Sequence, residues 1–213
     1  MKVILLDSMG NDLTVVNAAR VSFNKVSEQF DNKDKRLVDY LANHNHFTPF
    51  TQITYQVRIS APIFVARQWF KHQIGISRNE ISRRYVNDLP EFYKPDHWRS
   101  KVDNKKQGSG PPLKETKHAV QNKYDALMKG AARTYRRMLE LGVCEEQARI
   151  VLPQSMMTEW IETGSLAAAS RIVSLRNHKD AQIEIQQLAE MFEEEVKHIA
   201  PYSWEALKRT QNE

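Results

Sequence analysis

Between Gln52 and His72 the hydrophobic period changes, and no other feature of the sequence limits the fold as much. From Gln52 to Ser60, Ile53, Tyr55, Val57 and Ile59 alternate with Thr54, Gln56, Arg58 and Ser60, the period of two of a strand with one buried face. Pro62 then suits the first turn of a helix through IFVARQWFKH, where Ile63, Phe64, Ala66, Arg67 and Phe70 fall on neighbouring turns. A chain that passes so quickly from strand period to helical period builds layers of both kinds. The expected class is α+β, an antiparallel sheet flanked by helices.

The rest of the chain fills in this outline. VILLDS reads as a short strand, and DKRLVDYLANH places Leu37, Val38 and Leu41 at helical spacing. A long amphipathic helix is expected over 114–141 with Gly142 as its C-cap, followed by helices at 145–151, at 166–177 behind Ser165, and at 181–199 behind Asp180, so the C-terminal half is helix-rich. Residues 99–113, ending in GSGPP, read as a long loop or mobile lid. With 213 residues and 41% hydrophobic content the chain buries one core of ordinary size, so 1–213 is read as a single domain.

Composition excludes several functions. No stretch approaches the roughly 20 apolar residues of a membrane span, and the opening MKVILLDSMGND carries an aspartate where a signal peptide would still be hydrophobic; the expected place is the cytoplasm. One cysteine, Cys144, leaves no internal disulfide framework and no multi-cysteine metal site, and no metal is expected. Redox chemistry would then need a borrowed cofactor. The formal charge of +5 points to anionic partners without choosing among nucleic acid, nucleotides and polyanionic cofactors.

The densest polar run, KHQIGISRNEISRRYV from Lys71 to Val86, follows directly on an apolar helix pattern. It reads as one short irregular segment that gathers His72, Ser77, Asn79, Glu80, Ser82, Arg83, Arg84 and Tyr85, donors and acceptors able to surround a phosphate and a planar heterocycle.

Several segments together carry a resemblance: AARVSF at 18–23, His46-Phe-Thr48-Pro-Phe50, APIFVARQWFKH, Asn79-Glu80-Ile-Ser82-Arg-Arg84-Tyr85, ARIVLP at 148–153, LR at 175–176 and AQIEIQ at 181–186. In this order and spacing the chain resembles the flavin-dependent thymidylate synthases, and mainly 87–143 stays uncovered. The resemblance implies reductive methylation of dUMP to dTMP, with methylenetetrahydrofolate giving the carbon, FAD carrying hydride and NADPH as reductant. It implies a homotetramer with shared active sites, no membrane association and no nucleic-acid role. Such chemistry dispenses with a cysteine nucleophile, and Cys144, beside Glu145 and Glu146, lacks the electropositive setting that a thiolate needs.

Residue by residue, the resemblance assigns Gln68, Glu80, Ser82, Arg84, Arg149 and Arg176 to the nucleotide. Ser22, Thr48, Lys71, His72, Asn79 and Arg171 are assigned to the flavin. Ser82, Arg176 and His46 stand closest to the chemistry. Arginine forks suit a phosphate dianion, Ser82 offers a hydroxyl, and Glu80 can accept from a sugar hydroxyl. The chain departs from the pattern in Lys71-His72-Gln73, where Arg-His-Arg is usual, in one extra residue before Ser82, in Gly164 to Arg171, and in Asp180. Two alternatives stay open at this point: hydroxymethylation or a related modification of a pyrimidine nucleotide, and a basic nucleic-acid-binding module without catalysis.

Overall fold

In the computed structural model, residues 1–86, 88–102 and 108–211 are described. Strand β1 (Lys2–Met9) leads to helix α1 (Asp12–Arg20), whose N-cap Asn11 forms a capping box with Thr14. A 3₁₀ turn (Val21–Phe23) follows, then α2 (Asn32–Asn43) and a second 3₁₀ turn (Thr48–Gln52). Strand β2 (Thr54–Pro62) runs into α3 (Ile63–Trp69) with Pro62 at the N-cap, and β3 (Ile76–Glu80) returns along the sheet. After α4 (Lys117–Glu140) and the four-residue α5 (Glu145–Ala148) come β4 (Met157–Ser165), α6 (Leu166–Arg176), α7 (Ile183–Val196) and α8 (Pro201–Gln211).

The four strands pair in the order β1-β2-β4-β3, antiparallel throughout, as the α+β expectation requires. β2 buries Tyr55, Val57, Ile59 and Ala61, while Gln56, Arg58 and Ser60 point to the open face. Helices cover the buried face: α7 packs on β1, α6 on α7 and α8, and α2 on α8. One buried cluster joins β2 and Trp160 of β4 to Val65, Trp69, Phe50, Leu166, Ile185, Phe192 and Trp204. Each large side chain buried this way contributes roughly 1.5–3 kcal/mol of transfer free energy, which fixes the helices over the sheet.

The sequence expectations need four corrections. The segment 71–86 is not irregular throughout, because Ile76–Glu80 pairs with Gly164 to Trp160 as an edge strand. Strand β4 follows an alternation that the sequence does not advertise, since its buried face is Thr158, Trp160, Glu162 and Gly164 and only the tryptophan is strongly apolar. Asp180 does not cap α7. It closes a turn with His178, and Gln182 takes the N-cap position without a side-chain bond to the helix. The helix expected over 145–151 becomes 3₁₀ from Arg149 onward. The 99–113 loop falls partly on 103–107, outside the described residues. Its described ends are tied, with Ser100 N to Pro111 O at 2.9 Å, Leu113 N to Trp98 O at 2.7 Å, and Arg99 paired with Glu184 at 2.7 Å.

Candidate active site

β3 leaves the sheet at Glu80 and delivers Ser82, Arg83 and Arg84 to a cleft of about 830 Å³. Its floor is the N-terminal end of β4, with Met157, Thr158 and Glu159, and its far wall is the 3₁₀ turn carrying Arg149 and Ile150. Glu80, Ser82, Arg84 and Arg149 therefore converge, four of the six residues assigned to the nucleotide. Glu80 Oε1 accepts from Thr158 Oγ1 at 2.5 Å, which fixes the carboxylate at the cleft edge. Ser82 Oγ accepts from Arg84 N at 3.3 Å and from Arg84 Nε at 3.4 Å, so its own proton is free to point outward.

Arg84 lies with its guanidinium 5.1 Å from the Tyr85 ring centroid, and Arg149 Nε donates to Glu146 O at 3.2 Å. Among the described residues neither arginine has a carboxylate partner. Two guanidinium groups without a salt-bridge partner among the described residues can hold a dianion, in a cleft that Glu80, Asp88, Glu91 and Glu159 also line.

Gln68 and Arg176 sit elsewhere, with His72. Arg176, in the last turn of α6, donates from Nε to His72 Nε2 at 2.8 Å and from Nη2 to Gln68 O at 3.3 Å. Burial and the neighbouring Arg176, Arg78 and Arg171 push the His72 pKa down to about 4, so the ring is neutral at pH 7. An arginine N–H only donates, so His72 Nε2 is the acceptor and its proton resides on Nδ1. Gln68 Nε2 in turn donates to Gln182 Oε1 at 2.6 Å, and Gln182 Nε2 to Glu184 Oε2 at 2.8 Å.

A second cavity, about 500 Å³ and largely apolar, opens at the other end of β3. His46, Phe47 and Thr51 line one side, Ile74 and Gly75 another, and Ser165, Ala167, Ala168 and Arg171 a third. Gly75 has φ +72, a left-handed value that favours glycine, and a Cβ there would meet Ser165 Oγ at 3.4 Å. Ser165 caps α6 by accepting from Ala168 N at 3.2 Å. Small residues, a helix N-terminus and Arg171 suit a flat ring system carrying phosphate, so the residues present fit a flavin nucleotide.

Of the other residues assigned to the flavin, Ser22, Thr48, Lys71 and Asn79 are exposed and line neither cavity. The Ser22 turn is fastened to α2 by Arg20 and Asp34 at 2.5 Å. Cys144 is exposed and lines neither cavity. Sequence reasoning passed over Arg78 and Glu162, which form a buried ion pair at 2.6 Å beside His72. Nothing local in the sequence marks the two as partners, because their pairing is set only by the register of β3 on β4.

The family model described as "Thymidylate synthase complementing protein" matches residues 4–202. The chain is 41% identical over 204 residues to a flavin-dependent thymidylate synthase of Thermosipho melanesiensis, covering 95% of this chain and 88% of that one. It is 40% identical over 205 residues to the enzyme of the same name from Thermus thermophilus, covering 96% and 74%. Among solved structures, a UMP/dUMP methylase from Streptomyces cacaoi bound with 5-Br dUMP superposes with a TM-score of 0.86 at 30% identity, covering 100% of this chain and 96% of that one.

Proposed function

We propose, from the premise that the chain belongs to the flavin-dependent thymidylate synthase family, that dUMP binds with its phosphate between Arg84 and Arg149 and that the flavin occupies the cavity of His46 and Arg171. The enzyme reductively methylates dUMP to dTMP, with methylenetetrahydrofolate as carbon donor and reduced nicotinamide as reductant. The observation that carries the site assignment is the convergence of Glu80, Ser82, Arg84 and Arg149 on one cleft, with neither arginine in an ion pair among the described residues. When bound, FAD supplies the hydride that completes the methyl group. The protein's part is to bind and orient. Arg84 and Arg149 hold the phosphate, Ser82 donates a hydrogen bond, Glu80 accepts from a sugar hydroxyl, and Arg176, steadied by His72, directs at the pyrimidine its Nη1, which has no partner among the described residues.

The same reading makes the active protein a homotetramer with shared sites, built from one catalytic domain over 1–213. The cavities lie at opposite ends of β3, roughly 13 Å apart by strand rise, and no described residue lines both. Pyrimidine and flavin must touch, so supply of one half of the site by a second copy reconciles the geometry. Exposed Phe23, Ile74 and Ile150 are candidates for that contact. Among the described residues no helix is long and apolar enough to cross a membrane, and a cytoplasmic location fits the small-molecule substrates.

The test is product analysis by mass spectrometry with dUMP and, in parallel, UMP, each supplied with methylenetetrahydrofolate and NADPH. dTMP from dUMP is expected, with Cys144→Ala retaining turnover. A hydroxymethyl product would replace this reading with the alternative modification of the same nucleotide.

A further inference from the structure

The Glu162 carboxylate has no exposed surface and takes four donors: Tyr55 Oη at 2.9 Å, Trp69 Nε1 at 2.8 Å, Arg78 Nε at 2.6 Å and Trp160 Nε1 at 3.3 Å. Gly164 faces Tyr55 across the β2–β4 pair, and a Cβ there would lie 2.6 Å from Tyr55 Oη, so a bare backbone lets the phenol reach Glu162. Arg78 projects inward from β3 with 13% of its side chain exposed, and its guanidinium lies 5.1 Å from the Phe70 ring centroid. Arg78 Nη1 then donates to the carbonyl of His72 at 2.5 Å. A continuous path thus runs from Glu162 through Arg78 and His72 to Arg176.

Stability is a weak explanation for this arrangement. A buried ion pair seldom outweighs its desolvation, and apolar residues of similar size often hold the same space better. Arg78 Nη2 is moreover buried with no partner among the described residues, a further cost. What the pair does provide is direction. It fixes the backbone turn that carries His72 against two strands of the sheet.

We propose that Arg78 and Glu162 are positioning residues: they hold His72 so that Nε2 presents its lone pair to Arg176 Nε, and thereby aim the Arg176 guanidinium at the pyrimidine nucleotide. The link to substrate rests on the assignment of Arg176 given above. The charged groups that face the ring are Arg176 and Arg171 from α6 and Arg78 from β3, and with burial they keep it neutral. A lysine at 78 keeps a positive charge near Glu162 but lacks the fork that reaches two acceptors at once.

The experiment uses the flavin-loaded enzyme with ¹⁵N-labelled histidine, the His72 signal being identified by its loss in His72→Gln. Wild type is expected to report the Nδ1–H tautomer at neutral pH. Arg78→Lys is expected to show mixed tautomers at His72, to bind dUMP about tenfold more weakly, as for loss of one charged hydrogen bond, and to raise KM more than it lowers kcat. Glu162→Gln should act in the same direction, and Arg78→Gln replaces the lysine variant if that one misfolds. Unchanged tautomer and dUMP affinity in a folded position-78 variant would overturn the proposal. Arg176→Ala separates the two claims. If it binds dUMP as wild type does, the nucleotide assignment of Arg176 falls with the link to substrate, and the His72 tautomer alone then decides whether Arg78 positions the ring.

Discussion

At the scale of single residues, His72 gives the sharpest consequence of the structure. In the unfolded chain a histidine takes its proton near pH 6.5, whereas here burial and three arginines delay protonation to about pH 4. The unfolded state therefore binds more protons in between. The contribution of His72 to stability is complete above about pH 6.5 and is lost as pH falls toward about 4. Denaturant titrations of wild type and His72→Gln between those values should show a steeper loss in wild type; parallel curves would mean that the ring titrates normally. Much of the site at this scale was legible in the sequence, because Glu80, Ser82 and Arg84 lie in one polar run and chain geometry alone keeps them near one another. Arg149 came from the resemblance, since nothing local marks an arginine in a 3₁₀ turn as facing a cleft 65 residues after Arg84. Arg78 and Glu162 stayed hidden because a buried ion pair is a relation between two strands, and neither partner announces it.

Among the elements, the legible ones are those whose buried side is apolar. β2 alternates cleanly, and α6 begins at the Ser165 cap as its sequence suggests. β4 escaped because Thr158, Glu162 and Gly164 occupy its inner positions, each for a reason of contact: Thr158 fixes Glu80, Glu162 collects four donors, and Gly164 clears space for Tyr55. That last role can be measured. Gly164→Ala forces a Cβ to within 2.6 Å of Tyr55 Oη, and the strand has no room to shift between β2 and β3. The expected cost is about 1–3 kcal/mol of unfolding free energy, the usual range for overpacking a buried site. Chemical denaturation measures it, and a change within experimental scatter would show that the Tyr55 ring has somewhere else to go. A larger loss of dUMP affinity than of stability would tie Tyr55 to the Glu162 path.

For the whole molecule, the division of assigned residues between two cavities and the His72–Arg176 pair bears on assembly. Arg149→Ala and Arg176→Ala should each abolish most turnover. If the groups they remove reach one site from different subunits, co-expression of the two variants restores activity to about a quarter of wild type, the share of shared interfaces with both partners intact in a random mixture. No recovery on co-expression would place both groups in the same subunit. The central claim, however, is that the protein reductively methylates dUMP with a bound flavin as the hydride carrier. The most direct measurement is the visible spectrum of the purified protein under anaerobic conditions. The flavin bands should bleach on addition of NADPH and return when dUMP and methylenetetrahydrofolate are both present, in equal amount to the dTMP formed. Reoxidation without dTMP, or a protein that binds no flavin, would contradict the account.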